Sequence, residues 1–176
     1  MPAATLADLL RPFAGDVFCH APVDRPFDVG QLDRPDDGHD RWSASGRRTA
    51  YLAGDLTVAI AEFARHCRRD EPAAERQLTC LRLNAVMAID LRRADARAAV
   101  GISEGAFAFL DRGVARGVAE SIRSSSTCQA LIVPSMAFLD QPDRFNVVVF
   151  SEQVRGGLGA VFRDPRPIGL IRVDGA

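Results

Sequence analysis

Short apolar runs in the second half of the chain constrain the fold most. Three of them have the length and the Val and Ile content of buried strands: CQALIVPS, FNVVVF and IGLIRV. Helical patterns lie among the strand patterns without regular alternation, which favours an α+β protein over a doubly wound fold. We therefore predict a single α+β domain over residues 1–176, with a mixed β-sheet and flanking helices.

The first half contains a loop, a strand and a helix in close succession. Residues 16–19 and Thr49–Ala53 have strand character, and the stretch 22–46 between them is rich in Pro, Asp and Gly. This composition predicts a long excursion of turns, and loops of that length tend to carry function. Asp55 is then positioned to cap a helix. The apolar stripe of that helix is formed by residues at helical spacing: Leu56, Ala59, Ile60, Phe63 and Cys67.

Further elements are predicted with less regular patterns. Residues 78–83 and 85–91 read as two strands, and residues 103–124 as a helical region. The chain begins MPAATLADLLRPF, which predicts a short amphipathic helix and not a signal peptide. The glycines of VRGGLGAVF lack phosphate-loop spacing and predict a flexible loop.

The composition excludes several classes of function. All 22 basic residues are arginine, and 23 acidic residues give a net charge of -1, so no overall field favours nucleic acid or anionic lipid. No apolar run approaches the roughly 20 residues that span a membrane. The four cysteines form no CxxC pair and lack histidines at ligand spacing, which argues against a metal site and fits a reducing cytoplasm.

Three residues around the second strand suggest a nucleotide pocket. Arg41 can hold a phosphate, the only tyrosine, Tyr51, can stack on a flat ring, and Glu62 can steady a positive charge that develops on a sugar. Each also has a simpler interpretation. Arg41 can be a surface charge, Tyr51 a core residue, and Glu62 a solvated flank or a partner of His66.

Other polar residues are weaker candidates. Ser135 ends an apolar strand without a GxSxG elbow, so we expect it to hydrogen-bond a ligand and not to act as a nucleophile. The three histidines (His20, His39 and His66) have no spacing that implies a metal, and for each a structural or surface role is the simpler expectation.

The joint order of these motifs resembles the RES-domain family, named for its arginine, glutamate and serine. The motifs are FCHAP, DRWSASGRRTAYLAGDLTVAIAEFARH, DRGVARGVAESIRSSSTCQALIVPSMAF and RFNVVVF, which together span about residues 16–150. The resemblance implies a fold akin to the ADP-ribosyltransferase toxins. It also implies a toxin of a toxin-antitoxin pair that destroys NAD by cutting the nicotinamide-ribose bond, with phosphate or water as acceptor.

The resemblance also implies partners and residue roles. The inhibitor would be an Xre-like antitoxin protein, in a complex where the toxin can also be a homo-oligomer, and NAD would be a substrate with no further cofactor. Arg41, Tyr51 and Glu62 match the family's catalytic positions. Ser135 and Asn146 match its substrate-binding positions.

One departure from the family concerns the first strand. Family members usually carry an arginine there before a histidine or aromatic residue, whereas this chain has Cys19 before His20. We include His20 among the expected substrate-binding residues. Cysteine cannot make a bidentate phosphate contact, so Arg25 or Arg47 would have to substitute, or activity would fall. Two alternatives therefore stay open: an ADP-ribosyltransferase that modifies a macromolecule, and a weakened module that binds NAD without turnover.

Overall fold

The computed structural model describes residues 5–24, 27–33, 35, 40–67 and 74–173. The strands are β1 Arg11–Pro22, β2 Thr49–Ala53, β3 Ala74–Asp90, β4 Ala130–Pro134, β5 Phe145–Phe150 and β6 Phe162–Val173. The α-helices are α1 Leu6–Leu9, α2 Leu56–His66, α3 Ala94–Ala99, α4 Arg112–Ser125 and α5 Leu158–Val161. Short 3₁₀ helices cover Val29–Leu32, Ala106–Leu110 and Ser151–Gln153.

The six strands form one mixed sheet, in the order β1-β2-β5-β4-β3-β6. Only the β3–β4 pair is parallel among the named strand pairings of the described residues. A further antiparallel pairing between β1 and β3 closes five strands into a ring, and β6 is added along β3. The predicted α+β class with a mixed sheet is confirmed.

Strand alternation divides the interior into separate cores. Leu52 and Val147 belong to a cluster to which all five ring strands contribute, whereas Val148 belongs to a cluster shared with α3 and α4. A third cluster lies under α2 and includes Phe63. Successive residues of one strand therefore face different cores, because side chains alternate across a sheet.

Several predicted boundaries are wrong. β1 begins at residue 11, inside the segment predicted as an amphipathic helix, and among the residues of that segment described from residue 5 onward only Leu6–Leu9 are helical. The predicted strands 78–83 and 85–91 form one strand, and the helical region 103–124 is divided where Asp111 caps α4. The glycine-rich segment predicted as a flexible loop contains α5.

The apolar stripe of α2 also differs from its prediction. The buried positions are Val58, Ala59 and Phe63, whereas Leu56 and Ile60 are each 40% exposed. Among the described residues, no helix has both the length and the apolar character that crossing a membrane requires.

Gly54 forms the joint between β2 and α2. Its N–H donates to the Phe145 carbonyl at 2.9 Å, and a Cβ added at this position would lie 2.5 Å from the Phe145 ring. That ring is itself held in place, because the Arg92 guanidinium lies over it at 4.4 Å and the Phe13 ring contacts it edge-on at 6.1 Å. The joint therefore has no room for a larger residue than glycine.

We expect Gly54→Ala to lower the free energy of unfolding by about 1–3 kcal/mol, because the added methyl group must displace the Phe145 ring. Urea denaturation measures the change. Gly117→Ala in α4 is the matched control, since a Cβ there meets nothing within 4 Å. The control variant should be as stable as the parent or more so. Equal stability of both variants would contradict the close packing at Gly54.

Candidate active site

The start of α2 is tied to the sheet, and this positions Glu62. The Asp55 side chain accepts a hydrogen bond from the Val58 N–H at 2.9 Å, which confirms it as the helix cap. Arg144 donates to the other Asp55 oxygen at 2.8 Å from the segment just before β5. Glu62 follows about two turns later, on the flank of α2 that meets the ends of β4 and β5.

Three donors converge on one oxygen of Glu62. Oε1 accepts hydrogen bonds from Ser135 Oγ at 2.6 Å, Asn146 Nδ2 at 3.0 Å and the Ala137 N–H at 3.3 Å. The Arg65 guanidinium lies 3.4 Å from the other oxygen, Oε2. The Glu62 side chain is 19% exposed, so the carboxylate is mostly buried and still reaches solvent.

These contacts keep Glu62 ionised. Burial raises the pKa of the carboxyl group, but the hydrogen bonds from Ser135, Asn146 and the Ala137 N–H, with the charge of Arg65, outweigh burial. The pKa of Glu62 is therefore lowered from its usual value of 4.5. A charged carboxylate at neutral pH is able to stabilise a cation but not to donate a proton.

The segment that carries Arg41 is anchored at several points. Arg41 Nη1 donates to the carbonyls of Phe109 and Leu110 at 2.6 and 2.8 Å. The Trp42 ring packs against the Phe109 ring with centroids 4.9 Å apart. The backbone N–H of Trp42 donates to the Tyr51 hydroxyl at 3.2 Å. Arg41 is therefore neither a freely solvated charge nor a loose loop residue.

Arg41 and Glu62 act on each other electrostatically. Burial and then the charges of Arg112 and Arg65 lower the pKa of Arg41, whereas the charges of Glu62 and Asp111 raise it, with a net lowering. Arg41 thus lies within electrostatic range of Glu62.

Tyr51 occupies the face of the sheet that also carries Asn146. Tyr51 is the register partner of Val148 on β5, and Asn146 lies two residues away on the same face. The Tyr51 ring is half-buried against the core under α3 and α4. The Tyr51 hydroxyl accepts a hydrogen bond from the Trp42 backbone, whereas the Tyr51 ring packs against the core. The ring and the hydroxyl can therefore be tested separately.

We expect Tyr51→Phe to cost about 0.5–1.5 kcal/mol of stability, since it removes the hydroxyl that accepts from the backbone N–H of Trp42. Tyr51→Ala should be more damaging, because it also removes the ring. Urea denaturation measures the loss of stability, and calorimetry with NAD, the substrate that the sequence leads us to expect, measures the loss of stacking. A Phe variant that is folded yet as damaged as the Ala variant would show that the hydroxyl carries the role and that stacking does not.

The side chains of His20 and Cys19 point to opposite sides of β1. The His20 ring is exposed and packs on Phe63 of α2 with centroids 4.8 Å apart. Cys19 is only 6% exposed and belongs to the core inside the strand ring. The resemblance matches the family arginine to position 19, and the alternation of the strand turns the side chain at this position into the core, away from His20 and α2.

The structure brings most of the predicted residues together. Ser135 and Asn146 donate hydrogen bonds to Glu62, Arg41 lies within electrostatic range of Glu62, and Tyr51 anchors the segment that carries Arg41. His20 contacts the helix that carries Glu62. The alternative pairing of Glu62 with His66 is replaced by the ion pair with Arg65, and His39 and Arg25 lie outside the described residues.

Sequence reasoning missed three contributors to the site. They are Arg65, Arg112 and the backbone N–H of Ala137. Arg65 follows Glu62 by three residues on α2, and helical spacing alone could have indicated it. Arg112 comes from another element, and a backbone donor leaves no mark on the sequence. Within the described residues, no group of three or more His, Cys, Asp or Glu side chains is arranged to hold a metal ion.

Comparison with known proteins relates the chain to a known family and to solved structures. The RES domain matches residues 18–168. Among solved structures, the chain is similar to one in the crystal structure of the M. tuberculosis MbcT-MbcA toxin-antitoxin complex, with a TM-score of 0.64 and 15% sequence identity. That alignment covers 94% of this chain and 87% of the other. No curated protein matches.

Proposed function

The chain belongs to the RES domain family, and from this premise we propose that it cleaves the nicotinamide-ribose bond of NAD. The ADP-ribosyl group passes to phosphate or water, and the protein serves as the toxin of a toxin-antitoxin pair. NAD is consumed as a substrate in this reaction. The similarity to a chain of the MbcT-MbcA toxin-antitoxin complex supports the role as a toxin.

One observation carries the proposed chemistry: the ionised, preorganised carboxylate of Glu62. When the bond between the ribose C1′ and the nicotinamide nitrogen breaks, the electron pair leaves with nicotinamide, which departs neutral. Positive charge then develops on the ribose, and a negative group fixed beforehand stabilises it at little reorganisation cost. Ser135 and Asn146 hold Glu62 in place, so the charge is fixed before substrate binds.

The other residues have supporting roles in this proposal. Arg41 contacts a phosphate of NAD, and the ring of Tyr51 stacks against nicotinamide. Asn146 orients a ribose hydroxyl beside the carboxylate, whereas Ser135 is fully buried and acts by holding Glu62. His20 closes the side of the pocket against α2. An oxygen of phosphate or water completes the reaction by attack at C1′, and water loses its proton to solvent.

Product analysis tests the proposal. Purified protein is incubated with NAD, with and without inorganic phosphate, and the products are separated by mass. Nicotinamide together with ADP-ribose indicates water as acceptor, and ADP-ribose 1″-phosphate indicates phosphate. If NAD labelled in its ADP-ribose part is used, label retained on protein or nucleic acid would instead indicate the macromolecular transferase. NAD binding without any product would indicate the weakened module.

The proposed partner is an Xre-like antitoxin protein that covers the cleft. A small Xre-like reading frame directly upstream of the gene would support this pairing. Co-expression of the two proteins should then restore the growth of cells that the enzyme alone arrests.

A further inference from the structure

Helix α4 carries a buried arginine that has no part in the proposed chemistry. The Arg123 side chain is only 2% exposed, and its guanidinium lies over the Phe150 ring at 4.1 Å. Nη1 donates to Glu120 Oε1 at 3.2 Å, and Nε lies 3.2 Å from an oxygen of Glu152. Arg47, which the sequence suggested as a substitute phosphate contact, instead lies 3.3 Å from the other Glu120 oxygen. Two carboxylates therefore balance the buried charge.

The remaining nitrogen of Arg123 starts a chain of hydrogen bonds that leads to the segment 41–43. Nη2 donates to Thr49 Oγ1 at 2.7 Å, and Thr49 Oγ1 donates to Ser43 Oγ at 2.9 Å. Ser43 is fully buried and Thr49 is only 4% exposed. Because Ser43 comes two residues after Arg41, the chain of contacts connects the interior of α4 with the segment that carries Arg41.

Other contacts fasten the same segment to α4 and β2. Arg116 lies seven residues before Arg123, and residues at this spacing share one face of a helix. Its Nε and Nη2 donate to the Asp40 carbonyl at 2.9 and 2.7 Å. On β2, Thr49 and Tyr51 lie two residues apart and so occupy one face of the strand. The segment is therefore held between one face of α4 and one face of β2.

Stability alone does not account for an arginine at position 123. The cost of removing a guanidinium from water offsets much of what its partners contribute, so an apolar side chain of similar volume often stabilises a core equally well. Such a side chain could pack on Phe150. It could not donate to Thr49, whereas the planar guanidinium fixes the direction of this donor through its contacts with Glu120 and Glu152.

We propose that Arg123 is a positioning residue for the segment that carries Arg41, and that it acts through Thr49 and Ser43. Arginine can only donate, so the Thr49 hydroxyl accepts from it and directs its own single proton to Ser43. The segment is thereby set before any ligand binds. Its importance for the reaction rests on the proposed function, in which Arg41 contacts a phosphate of NAD.

The only tryptophan of the chain, Trp42, lies in this segment and is 3% exposed, so its fluorescence reports the position of the segment without any substrate. Thr49→Val keeps the shape of the side chain and removes the connecting hydroxyl. We expect the emission of Trp42 to shift to longer wavelength and its quenching by acrylamide to increase, with an unchanged far-UV circular dichroism spectrum. Thr49→Ser restores a hydroxyl and should keep the fluorescence of the parent protein.

Thr79→Val is the matched control. Thr79 is 1% exposed on β3, where it pairs in register with Cys19, and the control makes the same substitution at an equally buried site. It should leave the fluorescence of Trp42 unchanged. Parent fluorescence in folded Thr49→Val protein would overturn the proposal.

Arg123→Met tests the origin of the chain of contacts, because methionine fills a similar volume without a donor. It should shift the emission of Trp42 in the same direction as Thr49→Val. Since both changes interrupt one chain, the double variant should show no larger shift than Arg123→Met alone. Shifts that add in full would mean that Arg123 does not act through Thr49. If Arg123→Met does not fold, the comparison of Thr49→Val with Thr49→Ser decides.

Nicotinamide release from NAD gives the second measurement. Thr49→Val should lower kcat/KM by about tenfold, as expected when a substrate-positioning group is displaced, whereas Thr49→Ser and Thr79→Val should keep the parent value. Parent kcat/KM in Thr49→Val would overturn the role in the reaction, even with shifted fluorescence. A parent protein that releases no nicotinamide, while Trp42 responds as expected, would refute the proposed function and retain the positioning role of Arg123.

Discussion

Replacing Glu62 by Gln is expected to lower the rate of NAD cleavage by at least about a hundredfold, with the fold intact. Glutamine keeps the shape of the side chain, and its carbonyl oxygen can still accept hydrogen bonds from Ser135, Asn146 and Ala137. It loses the negative charge that faces the ribose. Because that charge is needed most in the transition state, the loss should appear mainly in kcat. Steady-state kinetics of nicotinamide release measures it.

Glu75→Gln is the matched control, since it removes an exposed carboxylate from β3, at a position paired in register with Arg172. This variant should retain parent activity. The pH profile gives a second check. The pKa of Glu62 lies below 4.5, so the parent should keep the ionised form in mildly acid solution and lose activity only as the pH falls below that value. A folded Glu62→Gln enzyme with the parent rate would show that another group carries the catalysis.

The candidate site could be predicted where reactive side chains lie at the ends of elements. Ser135 follows a strong strand pattern, Asn146 opens another, and Glu62 flanks a helix with a clear cap, so each could be placed by local signals. Their convergence on a single oxygen could not be derived in this way. It depends on the pairing of β4 with β5 and on the docking of α2, which are contacts between segments distant in the sequence.

The fold was predicted less well where tertiary pairing overrides local pattern. Residues 84 and 85 are both exposed, which breaks the alternation and suggests two strands. The break is a bulge within β3 opposite β1, and pairing continues across it. The early part of β6 contains Pro165 and Pro167 and gives no strand signal. This segment can still form a strand because β6 lies at the edge of the sheet, where proline is tolerated.

The direction of the Cys19 side chain shows that matching residues along a strand must take into account which face of the sheet each side chain occupies. A shift of one residue moves a side chain from the core to the exposed side of β1 that carries His20. Burial, and next the nearby Cys80, raise the pKa of the Cys19 thiol to about 12, so this surrounding strongly disfavours a charge. A side chain at position 19 therefore lies in the core and does not share the side of β1 that carries His20.

Cys19→Arg is expected to cost several kcal/mol of stability and to leave much of the protein unfolded, because it places an unpaired charge in the core. That cost is comparable with the 5–15 kcal/mol that typically stabilises a domain. Cys19→Val separates bulk from charge and should change stability by only about 1 kcal/mol. His20→Arg introduces the same guanidinium one residue later, on the exposed side of β1, and should remain folded. Urea denaturation of the three variants provides the comparison. A Cys19→Arg protein as stable as His20→Arg, with faster NAD turnover than the parent, would contradict the burial of position 19 and the register in which β1 pairs with β3.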